Sequence, residues 1–252
     1  MADMIVLKDK AELELMREAG KIAAAALVET GERIRDGVTT AELDKFIRHF
    51  IEKHGATPSF LNYQGFPGSA CISINDEVIH GIPSKDRIVR EGDIVTIDVG
   101  AFKKGYHSDT AYTFYCGSVS EEARRICEVT KAARDRGIEA ALIGNRIGDI
   151  GSAVESEALA HGYAVLRDYT GHGVGTHLHE PPDVPNYGRA GHGVRLCEGM
   201  TIAIEPMLTQ GSEKVYTLPN EWTVVTADHK LSAHFEHTVA VTPNGAEILT
   251  KV

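Results

Sequence analysis

Two segments of this chain repeat at a fixed distance, and that repeat restricts the possible folds more than any other feature. Gly37 to Gly55 matches Gly144 to Gly162 in length, 107 positions later, and both segments end on His-Gly, as His54-Gly55 and His161-Gly162. The string Glu91-Gly92-Asp93-Ile94-Val95-Thr96-Ile97-Asp98 returns at the same offset as Glu198-Gly199-Met200-Thr201-Ile202-Ala203-Ile204-Glu205. Glycine ends many helices, so one match alone means little. A shared offset at two distant places reads as a duplicated helix–helix–strand unit. Its halves, roughly residues 10–115 and 120–245, are expected to pack about a pseudo-twofold axis.

The acid that ends each repeated strand gives the duplication a chemical consequence. Side chains alternate along a strand. Thr96 and Asp98 therefore share one face and Val95 and Ile97 the other; Ala203 and Glu205 oppose Ile202 and Ile204 in the same way. Asp98 lies in a hairpin, DIVTIDVGAFKKGYHSDTAYTFY, with turn chemistry at Lys103-Lys104-Gly105. A two-residue loop at 103–104 sets Asp98 directly opposite Asp109. Like charges so placed repel. The arrangement requires a cation between them, a protonated partner or open water.

The remaining chain reads in order as helices and short strands. Asp9 with Glu12 and Thr39 with Glu42 form capping boxes. They predict helices from Lys10 towards Arg35 and from Thr39 to Gly55. Ser120 starts a third helix, to about Ile143, and a fourth runs from roughly Ile147 to His161. Strands are expected over Cys71–Asn75, Ala164–Leu166, Met200–Met207, Val215–Val225 (interrupted at Pro219-Asn220) and Ala233–Val241, with Tyr169–Tyr187 as a Gly-, Pro- and His-rich loop. A 42% hydrophobic and 25% charged composition suits a chain that buries a real core. The net charge of −10 with no basic block argues against nucleic acid and anionic membrane as partners. No apolar run has signal-peptide or membrane-span length, so a cytoplasmic location is expected. The four cysteines lack CxxC spacing, which fits reduced thiols.

The densest His/Gly stretch is Gly171-His172-Gly173-Val174-Gly175-Thr176-His177-Leu178-His179-Glu180. No lysine accompanies these glycines, which weakens a phosphate-cradle reading. His172 between two glycines is free to take unusual φ/ψ as part of a loop reaching into a site, and His179 is a second candidate, as a hydrogen-bonding catalytic group. Glu236, on a predicted strand, would be a fourth acid facing the other three. Four carboxylates and one imidazole suit a pair of divalent ions such as manganese, iron(II), cobalt or zinc. Two such ions can deprotonate a water and polarise a carbonyl.

The order Asp98, Asp109, His172, Glu205, Glu236 resembles that of the pita-bread metallopeptidases. The strings IDVGAFKKGYHSDTA, YTGHGVGTHLHEPPDVPNY, EGMTIAIEPM and SAHFEHT resemble type I methionine aminopeptidases in particular, and the likeness covers almost the whole chain. The resemblance implies an α+β pita-bread fold: one catalytic domain over residues 1–252, with a curved antiparallel sheet covered by helices. It implies a metallo-exopeptidase that removes the initiator methionine from nascent proteins with a small second residue, through a metal-bridged hydroxide. The alternatives are an aminopeptidase P- or prolidase-like Xaa-Pro peptidase and an inactive pita-bread peptide-binding protein. The short N-terminus speaks against the first alternative and the full set of ligand types against the second.

The resemblance further implies two divalent ions (cobalt, manganese, iron(II), zinc or nickel). Asp109, His172, Glu205 and Glu236 would hold one. Asp98 would hold the other, with Asp109 and Glu236 bridging. Glu205 would also shuttle a proton, His179 would hydrogen-bond the substrate carbonyl, and His80 would contact the scissile amide or the next residue. Tyr63, Phe66, Cys71 and Trp222 would form the methionine pocket. Phe60 and Leu178 depart from the common pattern there, which leaves the pocket's shape open. A monovalent cation is implied near Asn75, Glu77 and Ser232. Implied partners are nascent-chain N-termini and, transiently, the ribosome, and the chain is expected to be a monomer. Met1-Ala2 carries a small second residue, so the protein should be a substrate for such an activity.

Overall fold

Three of the α-helices begin where the sequence writes a cap, at Asp9, Thr39 and Ser120. In the computed structural model, which describes residues 4–251, Asp9 accepts from the Glu12 amide while the Glu12 carboxylate accepts from the Asp9 amide, opening α1 (Lys10–Gly31). Met1-Ala2 lies outside the described residues. Thr39 and Glu42 repeat the arrangement before α2 (Thr40–Lys53). The Ser120 hydroxyl accepts from the Ala123 amide at the start of α3 (Glu121–Ala140), and Asp149 accepts from the Arg146 amide at α4 (Ile147–Ala160). α1 stops short of the expected Arg35. Its last turn is closed by a bond from the Arg33 amide to the Thr30 carbonyl, which frees the Gly37 amide to bond the Val89 carbonyl. Gly37 has φ of 86°, a conformation glycine adopts without steric cost.

Helix–helix–strand occurs twice, and in both cases the strand's apolar face meets its own helix pair. Val95, Ile97 and Val99 pack with Leu27, Leu43 and Ile47 of α1 and α2. Ile202 and Ile204 pack with Ile138 and Ile150 of α3 and α4. The acids consequently point away from the helices. The first sheet is built on Ile94–Lys103, with Tyr106–Tyr115 along one edge and Cys71–Ile74 and Thr57–Pro58 sharing the other. The second orders Gly245–Ile248, His237–Thr242, Thr201–Ile204, Gly171–Gly173 and Glu180–Val184 side by side, all antiparallel. The stretch Tyr169–Tyr187 is thus not one loop: it contributes the last two of these strands, and His172 sits on the first. Two small three-stranded sheets carry the rest.

The hairpin register differs from the one expected. Lys103 pairs with Tyr106, so the loop is Lys104-Gly105, with φ of 50° and 90°. Tight hairpins favour two residues of positive φ, and glycine supplies the second here. Asp98 therefore stands opposite Ala111 and Asp109 opposite Gly100. The carboxylates are diagonal neighbours and not a direct pair. A two-residue shift keeps both on one face, because side chains alternate with period two. Diagonal placement also widens the gap between the two charges.

Two expected strands are broken, and both breaks fall at an acid. Ile204 pairs with His237 and Met207 with His234, so Glu205-Pro206 and Phe235-Glu236 drop out of the ladder opposite each other. Pro206 has no amide hydrogen to give the ladder; its carbonyl instead accepts from the Phe235 amide. Val215–Val225 is also two strands, Val215–Thr217 and Val224–Thr226, parted as expected around Pro219-Asn220.

The halves are joined along Tyr106–Tyr115 largely by threonine hydroxyls. Thr238 donates to the Asp109 carbonyl at 2.7 Å and accepts from the Asp109 amide at 3.1 Å. Thr110 donates to the Glu236 carbonyl, Thr113 to the His234 carbonyl, and the Glu236 amide bonds the Ala111 carbonyl. A hydroxyl that both donates and accepts can satisfy an amide and a carbonyl of the facing strand beside such a direct backbone bond.

Thr238→Val keeps the shape but strips the buried Asp109 amide and carbonyl of a partner, at an expected cost of about 2 kcal/mol. Denaturant unfolding with an unchanged slope and a lowered midpoint would show it. His237, enclosed near Arg134 with Nδ1 2.9 Å from the Thr250 hydroxyl, has its pKa lowered to about 3, chiefly by burial. It takes up protons more readily unfolded than folded, so its contribution to stability is complete above about pH 6.5 and falls away as pH drops towards 3. His237→Gln is expected to flatten the melting-temperature profile between pH 6.5 and 4 relative to the parent chain.

Candidate metal centre

The 94–103 and 106–115 strands project Asp98 and Asp109 into a cleft of about 260 Å³, which the opposing ladder break supplies with Glu205 and Glu236. His172 completes the set from Gly171–Gly173. Its flanking glycines serve close approach and not unusual φ/ψ: a Cβ at 171 would lie 2.3 Å from the Ala203 carbonyl oxygen, and one at 173 would lie 2.5 Å from that of Pro181. The His172 Nδ1 is 2.9 Å from the Gly173 carbonyl oxygen. A carbonyl can only accept, so Nδ1 carries the proton and Nε2 presents its lone pair. That Nε2 lies 3.7 Å from Asp109 Oδ2 and 3.6 Å from Glu205 Oε1. Ligand atoms of Asp109, His172 and Glu236 all lie within 4.8 Å of one another, and all three residues are buried.

Asp98 Oδ1, Asp109 Oδ1 and Glu236 Oε1 are buried without any hydrogen-bond partner. An isolated buried carboxylate is too costly to persist, so such oxygens demand protons or cations. The electrostatics agree. Burial first, then the neighbouring acids, push the carboxyls of Asp98 and Glu236 well above the ordinary range; burial and Glu205 do the same to Asp109. Glu205 goes the other way. Burial raises it, but the imidazoles of His234 and His172 outweigh that and hold it below its usual value. One imidazole nitrogen and carboxylate oxygens, several of them unpartnered, fit a borderline divalent cation.

His80 and His179 stand at the mouth. His80 has φ of 57° and presents its ring edge-on to Trp222 and Tyr169. His179 is stacked on Tyr63, its Nδ1 2.9 Å from the Tyr63 hydroxyl, and its ring centre is 3.9 Å from that of His172. Desolvation lowers both to about 4, aided by His234 and His179 at His80 and by His172 at His179. Both are therefore neutral near pH 7.

Beyond the acids the cleft ends in an apolar cluster of Phe60, Phe66, Cys71 and Leu178, edged by Tyr63 and Trp222. Cys71 pairs with Asp98 across the sheet, and burial followed by Asp98 drives its thiol well above the usual value. It is an inert wall residue. Phe60 and Leu178, which departed from the expected pattern, lie together in this cluster. Every residue singled out for metal, catalysis or pocket lines this one cleft. Asn75 and Ser232 meet elsewhere, the Ser232 amide bonding the Asn75 carbonyl at 2.9 Å. His234 escaped the sequence reading. It is fully buried, with Nε2 3.4 Å from Glu205 Oε2. Its position two before Glu236 was the available signal, since alternate residues share a face.

Comparison with known proteins points the same way. The sequence profile of metallopeptidase family M24 matches residues 14–243. A methionine aminopeptidase of Clostridium acetobutylicum is 51% identical over 247 residues, covering 98% of this chain and 99% of the relative. The crystal structure of a methionine aminopeptidase from Thermotoga maritima matches with a TM-score of 0.97 at 42% identity, covering 99% of this chain and 100% of its own. A prolidase from Pyrococcus furiosus reaches only 0.79 at 30% identity, and the match covers 98% of this chain but 66% of the prolidase. Matched in sequence and in fold along nearly all its length, the chain belongs to metallopeptidase family M24.

Proposed function

We propose that the chain is a methionine aminopeptidase, a metal-dependent hydrolase that removes the N-terminal methionine of proteins whose second residue is small. The observation that carries this reading is the apolar cul-de-sac lying directly against a cluster of unpartnered acids. Asp109, His172, Glu205 and Glu236 would hold one divalent ion, and Asp98 would help to hold a second together with Asp109 and Glu236. When bound, such a pair supplies a water deprotonated at neutral pH and a polarised substrate carbonyl.

The chain's own side chains do the rest. Phe60, Phe66, Leu178 and Trp222 take the thioether side chain, which suits an aromatic-lined slot. Tyr63 donates its hydroxyl hydrogen to His179 Nδ1, which leaves Nε2–H as a neutral donor for the developing oxyanion. His80, also neutral, contacts the scissile amide. Glu205, with His234 Nε2 3.4 Å from its Oε2, accepts a proton and passes it to the leaving amine. The Asn75 carbonyl, beside Ser232 and Glu77, keeps a lone pair for a monovalent cation. N-terminal peptides of nascent chains are the substrates, with transient ribosome contact. Among the described residues no helix is long and apolar enough to cross a membrane, and a cytoplasmic location fits the substrate.

Incubation of a Met-Ala peptide with the manganese-loaded chain is expected to release methionine, to stop on chelation and to resume on adding Mn(II), Co(II) or Fe(II). Cleavage of Xaa-Pro peptides with Met-Ala left intact would move the reading to a prolidase-like enzyme. Two bound ions without turnover on any N-terminal peptide would make it a binding protein. Asp98→Asn is expected to bind one equivalent fewer of Mn(II) and to lose at least about a hundredfold in kcat. Metal analysis beside kinetics checks both, and unchanged stoichiometry would remove Asp98 from the second ion.

A further inference from the structure

Lys8 belongs to an N-terminal strap ahead of α1, outside residues 14–243 that the family profile matches. Its side chain is only 2% exposed. The ammonium lies 2.5 Å from Glu180 Oε2 and donates to the Val6 carbonyl at 3.2 Å. The Lys8 amide bonds the Gly199 carbonyl at 2.8 Å. Glu180 is equally enclosed. Its other oxygen accepts from the His177 amide at 3.0 Å and the Thr176 hydroxyl at 3.2 Å. Burial alone would raise the Glu180 carboxyl, but Lys8 and these donors hold it below its ordinary value.

The surrounding backbone leaves room for this pair and for nothing larger. A Cβ on Gly175 would lie 2.5 Å from the Glu180 carboxylate and 2.6 Å from Lys8 Cε, and one on Gly199 would lie 2.5 Å from the Lys8 carbonyl oxygen. Gly175 is also tied to the hairpin, its carbonyl accepting from the His107 amide at 2.8 Å. Glu180 directly follows His179, and its backbone pairs with Gly173, next to His172. The carboxylate thus closes the 176–180 loop on itself, and Lys8 fixes the carboxylate.

We infer that Lys8 is a positioning residue: through Glu180 it holds the 176–180 loop, and with it His179, in the geometry the reaction needs. A buried ion pair adds little net stability over an apolar pair of similar size, so its value here lies in where it holds the loop. The inference rests on the proposed role of His179. Misplacement of a catalytic group by about 1 Å can cost about a hundredfold in rate.

On the metal-loaded full chain, Lys8→Met is expected to lower kcat on a Met-Ala peptide by about ten- to a hundredfold with KM changed less than about threefold. Amide deuterium exchange over 175–180 should quicken, and the number of Mn(II) ions bound should match the parent. Lys8→Met is expected to lower the melting temperature by leaving Glu180 buried without its cation; Lys8→Met/Glu180→Leu removes both charges and is expected to recover the melting temperature but not kcat, because the His177 amide and Thr176 hydroxyl, on exposed residues, then turn to water and no longer tie the loop. Parental kcat in Lys8→Met, loss of bound manganese in that variant, or joint recovery of melting temperature and kcat in the double variant would overturn the inference. The exchange readout does not depend on turnover. Unchanged exchange over 175–180 would overturn the strap's role even in an active enzyme, and absent turnover in the parent chain would count against the proposed function alone.

Discussion

Everything in this molecule is arranged around carboxyl oxygens that have nothing to bond to. Asp98, Asp109 and Glu236 each carry a buried oxygen with no partner, and Glu205 stands beside them. In a low-dielectric interior their mutual repulsion is large, and protonation is the alternative to a cation. A fold that concentrates such groups without other partners suits a positive ion placed among them. The single well-placed imidazole lone pair, fixed by the Gly173 carbonyl, sets the softness of the ion that suits it.

The acids are held against that repulsion by rigid neighbours. Two sit mid-strand on a hairpin of two ten-residue strands whose opposite face is sealed by α1 and α2. The other two sit where paired strands stop and resume, a kind of interruption common beside functional sites because it re-aims side chains that a regular ladder would alternate away. Threonine hydroxyls then fasten the two halves along one line, from Thr113 at His234 to Thr238 at Asp109. The same line fixes the acids' backbones, so the joint between the halves and the site are one construction.

The cleft also separates tasks by charge. The acids collect at one end and the apolar side chains at the other, with His80 and His179 between them as neutral groups. Neutral imidazoles can hydrogen-bond a substrate without competing with a cation for the carboxylates. Tyr63 on one side, and the loop closed by Glu180 on the other, hold the His179 ring.

The sequence by itself determined the parts that depend on local chemistry. Capping boxes at Asp9 and Thr39 and the apolar faces at Val95-Ile97 and Ile202-Ile204 are properties of neighbouring residues and of period two or 3.6, while the offset of 107 positions and the acids and imidazole at 98, 109, 172, 205 and 236 are read directly from the order of residues. Only the tertiary structure decided the hairpin register, because Lys103, Lys104 and Gly105 offer two turns of nearly equal chemistry and the flanking pairs choose between them. Only it decided the paired breaks at Glu205-Pro206 and Phe235-Glu236, since a break needs both strands to lose their bonds together. His234 facing Glu205 and Lys8 facing Glu180 were equally out of reach. Each is a contact between residues far apart in the chain, and a buried charge looks no different in sequence from a solvated one until its partner is found.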